Sequence, residues 1–95
     1  MRVRWTRRAL RSLDQIAAYI AQDRPMAASR MSQRIYEAVE NLATNPEAGR
    51  PGRVPGTREL IIAGTPFIVP YRIGTDVLDI LTVLHAARKW PESFE

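Results

Sequence analysis

The sequence predicts an α+β fold: a short N-terminal strand and an antiparallel helical hairpin packed on one face of a twisted antiparallel sheet. Three observations carry this. Apolar residues recur at helical spacing through the first half of the chain. Short alternating or continuous apolar runs follow in the second half, separated by Gly-Thr pairs. Helices grouped before strands favour a helical layer on a sheet over alternating βαβ units. Ninety-five residues make one domain, residues 1–95, with one modest core that can draw stability from a partner.

The elements follow in order. Arg2 to Trp5 reads as a first strand, with Val3 and Trp5 on one face. Thr6 suits a helix N-cap, because its hydroxyl can accept an orphan backbone N–H. Ala9, Leu13, Ile16, Ala17 and Ile20 then form an apolar stripe, with Arg7, Arg8, Arg11 and Asp14 on the other faces. Asp23-Arg24-Pro25 breaks this helix, and Pro25 suits the first turn of the next. Met31, Ile35, Ala38 or Val39, and Leu42 give the second buried stripe, which is expected to end near Asn45-Pro46. Residues 46–56 hold three prolines and three glycines, so they read as a long loop of the kind that often carries function. Strands are expected at about 57–63, 66–73 and 77–84, joined by Gly64-Thr65-Pro66 and Gly74-Thr75-Asp76. Turns this short make them antiparallel neighbours. Pro70 implies an edge position or a bulge, because proline donates nothing to a ladder. The last run is almost continuously apolar and reads as central. A tail with Trp90 and Phe94 closes the chain.

Composition narrows the chemistry. The absence of cysteine excludes disulfides and thiolate zinc sites, and one histidine leaves zinc few nitrogen ligands. No metal or other cofactor is expected. No apolar leader and no run of membrane-spanning length is visible, so a cytoplasmic protein without membrane contact is expected. The formal charge is +4, and Lys89 is the single lysine among 14 basic residues. An arginine-rich surface suits nucleic acid or an acidic partner, although arginine in place of lysine also follows from base composition.

Two constellations stand out. His85 and Arg88 close the last strand; a histidine can move a proton near neutral pH, and an arginine can stabilise a phosphorane. RNA cleavage through its own 2′-hydroxyl needs such groups, but a histidine that merely ends a core strand fits the same pattern. Arg50, Arg53, Arg58 and Arg72, with Lys89, are candidates for binding a target or phosphates. Arg58 and Arg72 would line a basic groove if they share the sheet face away from the helices; otherwise they pair with Glu59, Asp76 or Asp79. Tyr71 and Trp90 are candidates for stacking on bases or for core packing.

This order of elements resembles the ParE/RelE superfamily of bacterial toxins. The resemblance rests on Ala9-Leu-Arg-Ser-Leu-Asp-Gln-Ile16, on Asn45-Pro46 followed by Gly49-Arg50, and on Val83-Leu84-His85. It implies the toxin of a type II toxin–antitoxin system, neutralised by a cognate antitoxin in a hetero-oligomer. Operator DNA would be met only through that antitoxin. ParE-type members poison DNA gyrase and bring no defined active site. RelE-type members cleave mRNA on the ribosome with basic residues on the sheet and a late tyrosine. Here Glu59 and Ile61 stand where basic residues would be expected, and no tyrosine follows Tyr71. The pattern therefore favours a gyrase poison that inhibits growth. A ribosome-dependent endoribonuclease using His85 and Arg88 is the alternative, with Glu59 and Arg58 or Arg72 in supporting roles. A non-toxic basic binding module is a third reading.

Overall fold

The computed structural model describes residues 1–94; Glu95, the last residue of the expected tail, lies outside the described residues. The elements are β1 (Arg2–Trp5), α1 (Arg7–Ala21), α2 (Pro25–Glu40), a single 3₁₀ turn (Asn41–Ala43), β2 (Arg50–Pro51), β3 (Arg58–Ile61), β4 (Phe67–Ile73), β5 (Val77–Ile80) and β6 (Leu84–His85). The sheet order is β1-β5-β4-β3-β2, with β6 pairing back onto β4.

Thr6 caps α1 as expected: its hydroxyl accepts the Ala9 N–H at 3.1 Å and donates to the Ile80 carbonyl at 2.7 Å. Pro25 starts α2, whose cap residue Arg24 makes no side-chain hydrogen bond. The second helix stops at Glu40, earlier than Asn45-Pro46, because the chain tightens there into the 3₁₀ turn. Leu42 stays in the core, at 1% exposure.

The sheet is mixed, not wholly antiparallel. β1 runs parallel to β5, with Arg2 opposite Val77 and Trp5 opposite Ile80. The connection between these parallel neighbours comprises the helical hairpin and β2–β4, and the hairpin returns the chain to the start of β1, where the Met1 nitrogen donates to the Ala43 carbonyl. β3 and β4 pair antiparallel, as do β4 and β5.

The expected continuous strand at 77–84 is two short strands. Ile80 stands opposite Tyr71 and Leu84 opposite Ile68, so three residues, 81–83, face two, Val69 and Pro70: a bulge. Pro70 is the cause. Its carbonyl accepts the Leu81 N–H at 3.0 Å, but it has no N–H to return. The Leu81 carbonyl instead accepts the Thr6 hydroxyl at 3.3 Å. Ser12 accepts the Val83 N–H at 2.9 Å, so α1 satisfies backbone groups that the broken ladder releases. Pro70 therefore lies beside a bulge inside the sheet, not on its edge.

The main core lies between helices and sheet: Leu13, Ile35, Val39, Val69, Tyr71, Leu78 and Ile80 are each at most 2% exposed. A second buried group lies outside it. Val54, Ile68 and Leu81, at 7%, 5% and 7% exposure, are buried apart from that core, as is Pro70. Ile68 and Pro70 point away from the helices, since they alternate with the core residues Phe67, Val69 and Tyr71. The loop after the hairpin meets this side at Glu59, which stands opposite Pro70.

Candidate functional site

Sheet alternation separates the candidate arginines. Arg58 stands opposite Tyr71, hence on the helix side; Arg72, one residue on, points to the other. The expectation that they share one face is not met. Arg58 instead reaches under the loop, where Nε donates to the Gly49 carbonyl at 2.9 Å and a terminal nitrogen donates to Glu47 at 3.1 Å. Its planar fork is committed to backbone acceptors of residues 47–49. Tyr71 is fully buried beside it, donating to the Pro46 carbonyl at 2.7 Å and accepting the Gly49 N–H at 2.8 Å. Core packing, not base stacking, is the role of Tyr71.

On the other face, Arg4, Asp79 and Arg72 lie in one row across β1, β5 and β4. Arg4 takes the Asp79 carboxylate through two nitrogens, at 2.7 and 3.1 Å. This hydrogen bonding, with the opposite charge, raises the Arg4 guanidinium above its already high ordinary pKa. Arg72 is thereby left without a side-chain partner among the described residues.

Glu59 is 2% exposed and binds the loop together. One carboxylate oxygen accepts from Arg50 through Nε at 3.0 Å and a terminal nitrogen at 2.9 Å. The other accepts the Arg53 backbone N–H at 2.9 Å, with the Arg53 guanidinium 3.7 Å away. Arg53 in turn stacks on Trp90, with its guanidinium carbon 3.8 Å from the ring centroid. Arg50 and Arg53 thus form an ion-pair centre with Glu59 and do not join Arg58 or Arg72 in one groove.

His85, Arg88 and Lys89 do come together. They line a cleft between α1 and the start of β4, with Phe67, Val83 and Leu84 below and Ile16 and Ile20 on the helix. Arg8 and Arg11 complete its rim. Both belong to the polar faces of α1 in the sequence pattern, and their i, i+3 spacing is the signal that they share a side of the helix. No Asp or Glu is among the described residues lining the cleft. The His85 ring meets Phe67 edge-on at 5.6 Å, and its Nδ1 accepts the Ala87 N–H at 3.1 Å. That bond places the proton of the neutral ring on Nε2. The Arg88 N–H donates to the His85 carbonyl at 3.1 Å, closing a tight turn. The arrangement can hold an anion at an apolar floor, and it can donate a hydrogen bond from Nε2. Beside His85, the other acid–base side chains lining it, arginines apart, are Lys89 and the exposed Tyr19. Among the described residues, no group of three His, Cys, Asp or Glu side chains is placed to hold a metal, and no helix is long and apolar enough to cross a membrane.

Comparison with known proteins places this geometry. Y4kP of Sinorhizobium fredii, named as a candidate toxin, is 57% identical over 96% of this chain and 94% of its own length. Toxin RelE2 of Caulobacter vibrioides is 39% identical over 88% of this chain and 93% of its own. A solved chain from the chromosomal ParDE toxin–antitoxin system of P. aeruginosa superposes with a TM-score of 0.80 at 36% identity, covering 87% of this chain and 92% of that one. A chain of the RelBE2 toxin–antitoxin complex of Mycobacterium tuberculosis gives 0.65 at 28% identity, covering 88% and 95%. The family model described as the ParE toxin of the type II toxin–antitoxin system parDE matches residues 3–90, and the chain belongs to that toxin family.

Proposed function

We propose that this toxin acts in the cytoplasm by binding and poisoning DNA gyrase, and that a cognate antitoxin neutralises it in a hetero-oligomer. The observation that carries the target is the state of the acid–base groups in the His85 cleft: one histidine already engaged through Nδ1, with only Lys89 and the exposed Tyr19 beside it among the described residues. A general base at Nε2 would require the ring proton to move to Nδ1, which breaks the bond from Ala87. Among the described residues, no carboxylate lines the cleft to share the work. Glu59 and Arg58, the other residues a nuclease reading would recruit, are held by Arg50, Arg53 and loop carbonyls. Inhibition by protein–protein contact needs none of this chemistry. Antitoxin pairing is supported by the two toxin–antitoxin systems whose solved chains share the fold.

The ribosome-dependent endoribonuclease reading keeps one observation in its favour: Arg8, Arg11, Arg88 and Lys89 ring His85 as phosphate ligands would. Induced expression without the antitoxin separates the two. The gyrase reading expects growth arrest with broken DNA and intact mRNA, and His85→Ala keeps that toxicity. A nuclease would lose roughly 100-fold on losing its acid–base group, and its mRNA would be cut on the ribosome. That outcome would overturn the gyrase assignment. Absence of arrest would favour a basic binding module.

A further inference from the structure

The sheet carries two arginine side chains with no partner among the described residues, Arg2 and Arg72. Both lie on the face turned away from the helices. Arg2 and Arg4 alternate with Val3 and Trp5, which pack on the core, and Arg72 follows the core residue Tyr71. Arg4, Asp79 and Arg72 form one row across three neighbouring strands, with Arg2 beside Val77 in the next row. Arg4 engages both oxygens of Asp79, at 2.7 and 3.1 Å, through Nε and one terminal nitrogen. Its other terminal nitrogen stays free to donate. The strands carry one more carboxylate, Glu59, which Arg50 and Arg53 meet. The face is therefore positive, with each strand carboxylate already paired.

What this face lacks identifies its partner. Phe67 and Tyr71 lie in the core on the opposite face and Trp5 packs against it, so no strand aromatic is open to stack on single-stranded bases. Ile68 and Pro70 are buried, and exposed Ile61 stands opposite Ile68, at the far end of β4 from Arg72. The apolar anchor pocket that a polypeptide partner would need beside the arginines is missing. Duplex phosphates need neither stacking nor anchors, only cations. The row from Arg4 to Arg72 spans two interstrand spacings, about 10 Å, across which duplex DNA presents several phosphates. We propose that this face, through Arg2, Arg4 and Arg72, binds the phosphate backbone of duplex DNA without reading its sequence. The contact extends the gyrase reading, since gyrase holds duplex DNA, and it is measured without gyrase so that either can fail alone.

The test is fluorescence anisotropy of the purified full chain with short labelled duplexes of two unrelated sequences, from about 50 to 200 mM salt. Both are expected to bind alike, with log K falling against log salt by about 0.9 for each phosphate met, or about 2 to 3 in all. Arg72→Ala breaks no side-chain bond; it should keep the melting temperature, weaken binding severalfold at low salt and flatten the slope by about 0.9. Arg72→Lys should recover the slope, because a point charge serves a phosphate. Arg30→Ala removes the same charge from an exposed position of α2 and should leave the slope as it was. Equal losses in Arg30→Ala and Arg72→Ala would reduce the binding to net charge and overturn the site. Tighter binding of polyglutamate than of the duplexes would give the face to an acidic polypeptide instead. Preference for one sequence would refute backbone recognition, and no binding at the lowest salt would remove the surface altogether. Duplex binding by a chain whose expression breaks no DNA would keep this site and sink the gyrase reading.

Discussion

Tyr71→Phe tests how the loop bearing Arg50 and Arg53 is held. The Tyr71 hydroxyl joins the Pro46 carbonyl to the Gly49 N–H, at 2.7 and 2.8 Å, and both the ring and Gly49 are buried. Removing the oxygen deletes two hydrogen bonds, each worth about 0.5–1.5 kcal/mol net, and strands a buried N–H that costs about 1–3 kcal/mol unpaired. The ring remains, so no large cavity adds to this. The expected loss is about 2–3 kcal/mol. With a urea m-value of about 1–1.5 kcal/mol/M for a chain of this size, the unfolding midpoint falls by about 2 M at unchanged slope. Far-UV circular dichroism and tryptophan fluorescence should report the same shift. A fall below about 0.5 M would refute the reasoning, because it would mean that Gly49 finds another acceptor at little cost. Gly49→Ala checks the same spot from the other side: a methyl there would lie 2.7 Å from the Tyr71 ring and hydroxyl and 2.8 Å from the Glu59 carbonyl. It should destabilise at least as much, and the double variant should fall short of additivity, since both changes act on one contact.

Three further outcomes are expected from urea or thermal unfolding. Thr6→Ala loses the α1 cap together with the bond to Ile80, and should cost about 1–2 kcal/mol, whereas Thr6→Ser should recover most of it. Gly64 sits at φ +77° with the Arg34 guanidinium, which donates to Ala63, against the position a Cβ would take; Gly64→Ala should therefore cost at least about 1 kcal/mol, and an unchanged midpoint would contradict the left-handed turn. Ile35→Ala opens a hole at a fully buried position of α2 and should cost about 2–5 kcal/mol, against a negligible effect at exposed Met26→Ala on the same helix.

Much of the architecture was legible because local rules and tertiary packing agree. The Thr6 cap, the two apolar stripes, Pro25 at a helix start and the two Gly-Thr turns each answer to backbone geometry within a few residues. The direction of β1 was not, because nothing in four residues says which strand they will join; the return path of the hairpin decides it. Pro70 announced a break in the ladder but not its place. The bulge at 81–83 depends on hydroxyls of Thr6 and Ser12, about seventy residues away, to receive the freed backbone groups.

The candidate site divides the same way. The sequence alone determined that His85, Arg88 and Lys89 would travel together, since they share one turn, and that the loop arginines were candidates for a charged centre. It also determined the family, through words spread over nearly the whole chain. Only the tertiary structure decided which arginines are available. Alternation fixes the face of Arg58 once its partner is known, but the register with Tyr71 is a long-range choice. Burial of Glu59 drew Arg50 and Arg53 onto its carboxylate while leaving both side chains half-exposed, because a carboxylate removed from water must be met by donors. Helix packing brought Arg8 and Arg11 to the His85 cleft. Charge is written in the chain, but its neutralisation is a matter of distance, and distance is set by the fold.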